Sequence, residues 1–204
     1  TIKRVARELS GKRLLVLPPY YNNPDFLSVF GAHVKKHLPA SAEHLLFSYH
    51  GLPEHHITNA DPTGSHCLRT ESCCVTHSIA HDTCYRHQCF STTRAIGTLI
   101  GIDHSQSFQS RLRPGRWLQP SSSQHATTLA QQGVRHLAVV CPAFAVDNLE
   151  TLEEVGQQLS LTFRKAGGKE LILIPALNDE PEWIQVLSKW AGGAIDSFRE
   201  LSLQ

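Results

Sequence analysis

Methionine is absent from this 204-residue chain, so no initiating residue stands at its start. Thr1 runs straight into Ile2-Lys3-Arg4-Val5, which reads as the middle of a helix and suggests a fragment or a processed product. No apolar run approaches the ~20 residues that a membrane span requires, and no charged-then-apolar leader opens the chain. These absences point to a cytoplasmic protein, at most peripheral to a membrane, with no transmembrane segment. Charge of one sign is lacking too. Nineteen Lys and Arg against 18 Asp and Glu leave a formal net charge of +1, with no global pull toward nucleic acid or an acidic membrane surface. Nor is there an internal repeat. What remains is the composition of a folded globular chain, 41% hydrophobic and 18% charged, long enough for one substantial core and read as one domain.

Histidine and cysteine stand out instead. The 13 histidines raise the expectation of metal or proton chemistry, although most read as scattered surface residues. Five of the six cysteines fall between Cys67 and Cys89, while Cys141 ends an apolar run and reads as a small buried hydrophobe. A secreted disulfide framework spreads its cysteines through a short chain, whereas a tight cluster without a leader suggests a metal site.

Short apolar runs alternate with amphipathic stretches, the pattern of βα units around a parallel sheet. Strands are expected at 13–17, 44–49, 106–110, 136–141 and 171–175, each rich in Leu, Val, Ile or Phe as strands covered on both faces should be. Helices are expected at 24–38, 90–100, 121–132, 149–165 and 181–191. Pro24 and Pro181 sit where a first turn tolerates proline, and Asp147 or Asn148 is placed to cap the fourth helix. The fold class is α/β, a three-layer domain with a parallel sheet and helices on both faces. From Gly51 to Gln88 the chain is polar, His-rich and Cys-rich with no clear period, and a structureless loop of that length implies a function or a metal. Ligands of open parallel sheets sit beyond the carboxyl ends of the strands. His50, Gln109 with Ser110, and Phe144 to Glu150 should therefore border one crevice.

Three segments carry the chemistry. In Phe47-Ser48-Tyr49-His50-Gly51-Leu52-Pro53, a His at a strand end is presented to accept a proton or ligate a divalent metal, or merely to bond its own loop. In the stretch from Cys141 to Glu154, Glu150 and Glu154 are four apart and share a helix face. Glu150 there stands in the first turn, where an anionic carboxylate is favoured; ordinary acidic bias at a helix start explains it equally. In the third, Ser107 to Pro120, Arg111, Arg113 and Arg116 beside Trp117 suit a flat, aromatic, carboxylate-bearing ligand, or a basic loop with one buried indole.

Together these segments resemble the ferrochelatase family. Phe47 to Pro53 resembles the family's segment around its essential His, and Phe108-Gln109-Ser110-Arg111 with Trp117-Leu118 and Pro120 resembles its next motif. Cys141 to Glu154 resembles its acidic-helix motif, and Pro175-Ala176-Leu177-Asn178 its closing strand; the likeness spans nearly the whole chain apart from about 67–88. The resemblance implies insertion of Fe²⁺, as a substrate, into protoporphyrin IX or coproporphyrin III for haem biosynthesis. His50 and Glu150 would face each other across the porphyrin, one taking pyrrole protons while the other ligates the metal, with Glu154 continuing an acidic line toward it. Tyr20, Gln109, Ser110, Arg111, Trp117 and Phe144 would contact the macrocycle. The family resembles two related α/β domains around the porphyrin, and this chain would be the second. It would then need an N-terminal ferrochelatase domain or a homo-oligomer to complete the cleft. After Pro120, Ser-Ser-Ser-Gln-His replaces the acidic stretch many relatives carry. Rival readings are a non-catalytic metal- or haem-binding module, one half of a split chelatase inactive alone, and a chelatase of the cobalamin or sirohaem pathways.

Some ferrochelatases also carry a [2Fe–2S] cluster in an internal segment, and the Cys-rich insertion at about 67–89 resembles that arrangement. By that likeness Cys67, Cys74, Cys84 and Cys89 would be the ligands, with Cys73 the substitute for Cys74. Tetrahedral Zn²⁺ suits the same thiolates, and disulfides or free thiols are the plainer alternative.

Overall fold

The computed structural model describes residues 15–110, 114–193 and 199–200; the helix read over Thr1–Val5, the start of the first expected strand, and Arg111 and Arg113 lie outside them. In chain order the elements are β1 (Leu15–Val16), α1 (Pro24–His37), β2 (His44–His50), α2 (Glu54–Asn59), α3 (Tyr85–Ile100), β3 (His104–Gln109), α4 (Ser122–Gln131) and β4 (His136–Val140). A π-helical segment (Glu150–Leu159) then runs into α5 (Ser160–Lys165), followed by β5 (Glu170–Leu173), α6 (Pro181–Ala191) and β6 (Arg199–Glu200). Strands β3-β2-β4-β5 form one parallel sheet in that order.

Side-chain alternation along the buried strands sorts the core into two layers. Leu45, Phe47 and Tyr49 of β2 and Ala138 and Val140 of β4 face α1, α3 and α6. Leu46, Leu137, Val139 and Cys141 face α4, the π-helical segment and α5. The three-layer α/β reading therefore stands. β1 corrects it in one respect: it leaves the parallel sheet and pairs antiparallel with β6.

Two further corrections concern helices. Within the expected helix over 149–165, Glu150–Leu159 form a π-helix and the α-helix runs only from Ser160. Asn148 caps its start, its Oδ1 accepting from Glu150 N at 2.8 Å and Thr151 N at 3.3 Å. The supposedly structureless stretch after Gly51 holds α2 and two single 3₁₀ turns, Glu71–Cys74 and Ile79–Asp82, while α3 begins five residues before its expected start. Ile57, Cys67, Ala80, Cys84 and Cys89 bury themselves in the α1/α3 core, which is what orders a segment without periodicity.

Candidate functional site

β2 ends on His50, and Gln109 lies beside it in register at the end of β3. The backbone turns sharply there. Gly51 N–H donates to the Gln109 carbonyl at 2.7 Å, and a Cβ on Gly51 would stand 2.6 Å from that oxygen, so only glycine fits. The strap beyond pairs with the chain before α4: Leu118 N–H donates to Leu52 O, Glu54 N–H to Arg116 O, and Pro53 bridges Trp117. Trp117 is only 8% exposed, packed beneath this strap.

The His50 ring is oriented by its own loop. Nδ1–H donates to the Gly51 carbonyl at 2.8 Å, which leaves Nε2 as the free, basic nitrogen. Nε2 lies 3.7 Å from Glu150 Oε1, and both side chains are partly open to solvent. The Phe144 ring, half-buried, stands 6.4 Å from the imidazole. An imidazole, a carboxylate and an aromatic face thus share one rim. His50 and Glu150 sit side by side on a single wall, at a separation that leaves no room for a macrocycle between them.

Glu154 is held differently. It accepts from Ser110 N at 2.7 Å and from Ser110 Oγ at 2.6 Å. Ser110 sits in the left-handed region at φ 63°, a strained conformation for serine that aims both donors at one carboxylate. Gln109 is buried, and its side chain works as a tie: Nε2 donates to the Glu150 carbonyl at 3.0 Å, and Oε1 accepts from Ser48 at 2.6 Å. A cavity of about 380 Å³ opens beside Ser110, Glu154 and the start of α4. Tyr20 packs among Phe26, Trp183 and Trp190 and lines a second pocket that reaches Pro142 and Ala143. Burial raises its phenol pKa. Arg111 lies outside the described residues.

The sequence reading offered Asp147 only as a helix cap and missed that it ties this wall together. Asp147 accepts from Thr151 Oγ1 at 3.0 Å, Asn178 Nδ2 at 2.8 Å and Ala176 N at 3.2 Å, tying the π-helix start to the segment after β5. The signal was present as Asp147 four residues before Thr151, but its other partners, Ala176 and Asn178, lie 29 and 31 residues on.

The five cysteines of the Cys-rich segment are free and buried, as is Cys141 directly after β4. Cys84 caps α3, its sulfur accepting from His87 N at 3.5 Å. A hydrogen bond from Cys74, then the helix-start N–H groups, bring the Cys84 thiol down to about 5 despite burial. Burial, followed by the Cys84 charge, pushes Cys67 up to about 12. Arg86 donates to Cys74 Sγ at 3.0 Å and Cys73 Sγ at 3.5 Å, and those sulfurs are 4.0 Å apart. Cys89 lies deeper, against Tyr85, its pKa raised by burial. Three imidazoles pin the backbone: His66 and His81 donate to Cys73 O at 2.7 and 2.8 Å, and His87 to Cys74 O at 2.8 Å. Asp61 accepts from the Cys67 and His66 N–H groups, which holds its carboxyl well below the usual range.

The ferrochelatase family model matches residues 1–193. Relatives named ferrochelatase include those of Pseudomonas fluorescens (strain Pf0-1), 44% identical over 191 residues, and Pseudomonas syringae pv. syringae (strain B728a), 45% identical over 191 residues. That of Ectopseudomonas mendocina is 44% identical over 190 residues. The matches cover 91–92% of this chain but 56% of each relative, so the chain spans little more than half their length.

Proposed function

The chain belongs to the ferrochelatase family, and on that premise we propose that it supplies the proton- and metal-handling wall of an enzyme inserting Fe²⁺ into a porphyrin, protoporphyrin IX or coproporphyrin III. The observation that carries this reading is the 3.7 Å approach of His50 Nε2 to the Glu150 carboxylate at adjacent strand ends. Metallation removes two pyrrole N–H protons as one dication enters, so the net charge of the ring and metal is conserved only if neighbouring groups accept both protons. A neutral imidazole nitrogen beside a carboxylate can take them, one each, or one of the pair can ligate Fe²⁺ while the other works as base. Phe144 offers the ring an apolar face, and Glu154, anchored by Ser110, extends the acidic line along the π-helix. Tyr20, Gln109, Ser110, Arg111 and Trp117 complete the proposed substrate set: Gln109 and Ser110 as supports of the two glutamates, and Trp117 beneath the His50 strap.

Fe²⁺ insertion is measured on this chain alone and with the remaining portion of a relative supplied in trans. His50→Ala and Glu150→Gln should each abolish turnover with circular dichroism unchanged. Parent-like turnover in either variant removes that residue from the mechanism.

We also propose that the thiol loop holds a [2Fe–2S] cluster. What supports this is that four buried thiols lie in contact, Cys73 with Cys74 and Cys84 with Cys67 and Cys74, and a two-iron cluster is held by four thiolates. Arg86 and the start of α3 offset thiolate charge. Cys67, Cys74, Cys84 and Cys89 would hold it, with Cys73 able to replace Cys74. The cluster would supply a redox-sensitive cross-link to the loop, and the porphyrin chemistry stays with His50 and Glu150. Protein purified anaerobically should be coloured and contain acid-labile sulfide, and Cys84→Ser should bleach it. Stoichiometric zinc without sulfide defeats the cluster and leaves a structural zinc site.

A further inference from the structure

The histidines of α1 form a second group that the porphyrin reading does not use. His33 and His37 are four apart and so share a helix face, their rings 4.3 Å apart. Glu180, just before α6, meets them there, 3.6 Å from His33 Nδ1. One ligand atom from each of the three lies within 4.8 Å of the others.

Each imidazole is set in the orientation that metal binding needs. His33 Nε2–H donates to the Pro175 carbonyl at 2.9 Å, which fixes the tautomer and turns Nδ1 toward Glu180. His37 Nδ1–H donates to the His33 carbonyl at 3.0 Å, which frees Nε2. Outer hydrogen bonds of this kind to backbone carbonyls orient and strengthen imidazole ligands. His33 is 5% exposed, and its Nδ1 has no hydrogen-bond partner. A buried basic nitrogen without a donor is costly, and a cation relieves that cost.

We propose that His33 Nδ1, His37 Nε2 and the Glu180 carboxylate form a binding site for a borderline divalent cation of the Zn²⁺ class, clamping α1 to α6. Two imidazoles and a carboxylate suit such an ion, with its fourth position open to water in the adjoining cavity of about 280 Å³. The occupant of the carboxylate here is Lys36, whose Nζ lies 3.0 and 3.1 Å from the two Glu180 oxygens. Lys36 is largely exposed and swings away at little cost, so it competes with the cation without blocking it.

The test is an anaerobic Co²⁺ titration of the 204-residue chain carrying His50→Ala, followed by proton NMR in water. Both ligand rings keep an N–H when their other nitrogen binds. Two exchangeable, hyperfine-shifted imidazole signals should therefore appear together, and thiolate ligation in the Cys loop cannot produce them. His37→Gln should weaken Co²⁺ binding at this site by at least roughly tenfold and remove the pair. Lys36→Gln, which only takes away the competing ammonium on the surface, should tighten it several-fold. Zn²⁺ should displace Co²⁺ and erase the signals. Absence of the paired signals overturns the proposal, as does their persistence in His37→Gln or a Lys36→Gln variant that binds more weakly.

Discussion

Removing the Asp147 side chain should cost more than its partly open position suggests, because three segments depend on it. In Asp147→Ala, Thr151 Oγ1 loses one acceptor but keeps Asn148 O at 3.1 Å, so that loss is cushioned. Asn178 Nδ2 keeps only its weaker contact with Ala176 O at 3.2 Å. Ala176 N–H has no such fallback, since it meets only the two Asp147 oxygens, at 3.3 and 3.2 Å, and Ala176 is 6% exposed. One cushioned bond, one charge-assisted bond and one stranded amide together come to about 3 kcal/mol. For a chain of this size that is a fall in Tm of roughly 6–12 °C. Urea unfolding should show the midpoint shifted and the slope unchanged, since the surface exposed on unfolding is the same. Asp147→Asn offers its Oδ1 to Thr151 but turns an amide toward donors, and should fall between the two. On the proposed reaction, turnover should drop further than stability, because the Asp147 tie fixes where Glu150 stands beside His50. A stability loss below about 0.5 kcal/mol in Asp147→Ala would refute the idea that this carboxylate holds the start of the π-helix.

Gly51→Ala should destabilise by about 1–3 kcal/mol and displace His50, because the new methyl meets a ladder carbonyl 2.6 Å away that cannot move without breaking the β2–β3 register; a thermally neutral Gly51→Ala would contradict that geometry. Stability should also fall in acid. Burial, then the nearby His125, brings His44 down to about 4, and both rings meet the Ser105 hydroxyl, at 2.7 and 2.8 Å. The folded state therefore binds fewer protons than an unfolded chain whose histidine titrates near 6.5. This contribution is complete above about pH 6.5 and drains away as the pH falls toward about 4. Urea midpoints across that interval should slope downward, and His44→Gln should flatten them; an equally steep slope in the variant would assign the effect elsewhere.

The strand ends were legible because a parallel sheet writes itself as short Val-, Leu- and Ile-rich runs, and His50 and Gln109 fall directly at the close of two of them. The four parallel strands and four of the five main helices lie within two residues of their expected bounds, while α3 starts five residues early. What escaped was whatever depends on partners distant in the chain. The antiparallel pairing of β1 with β6 joins residues near opposite ends of the chain. The π-helix carries no distinguishing signature, because in ten residues its buried positions, Thr151, Val155 and Leu159, recur every four and read equally as an α-helical stripe. The Cys-rich loop looked structureless because its order comes from histidines donating to the Cys73 and Cys74 carbonyls and from Asp61 collecting N–H groups.

The two glutamates of the π-helix, equivalent in the sequence, are made unequal by what faces them. Glu154 accepts two short hydrogen bonds from one serine, so its charge is committed and its position fixed. Glu150 gives only its backbone carbonyl to the scaffold, through Gln109, and leaves its carboxylate toward His50. A group that must exchange protons or a metal within each turnover has to be weakly held in one of its states. A group that sets the field around it should be tightly held throughout. Sequence spacing put both carboxylates on one helix face, but the strained backbone of Ser110 divides their labour. It spends serine's two donors on Glu154, and so assigns the mobile chemistry of the proposed reaction to Glu150 and His50.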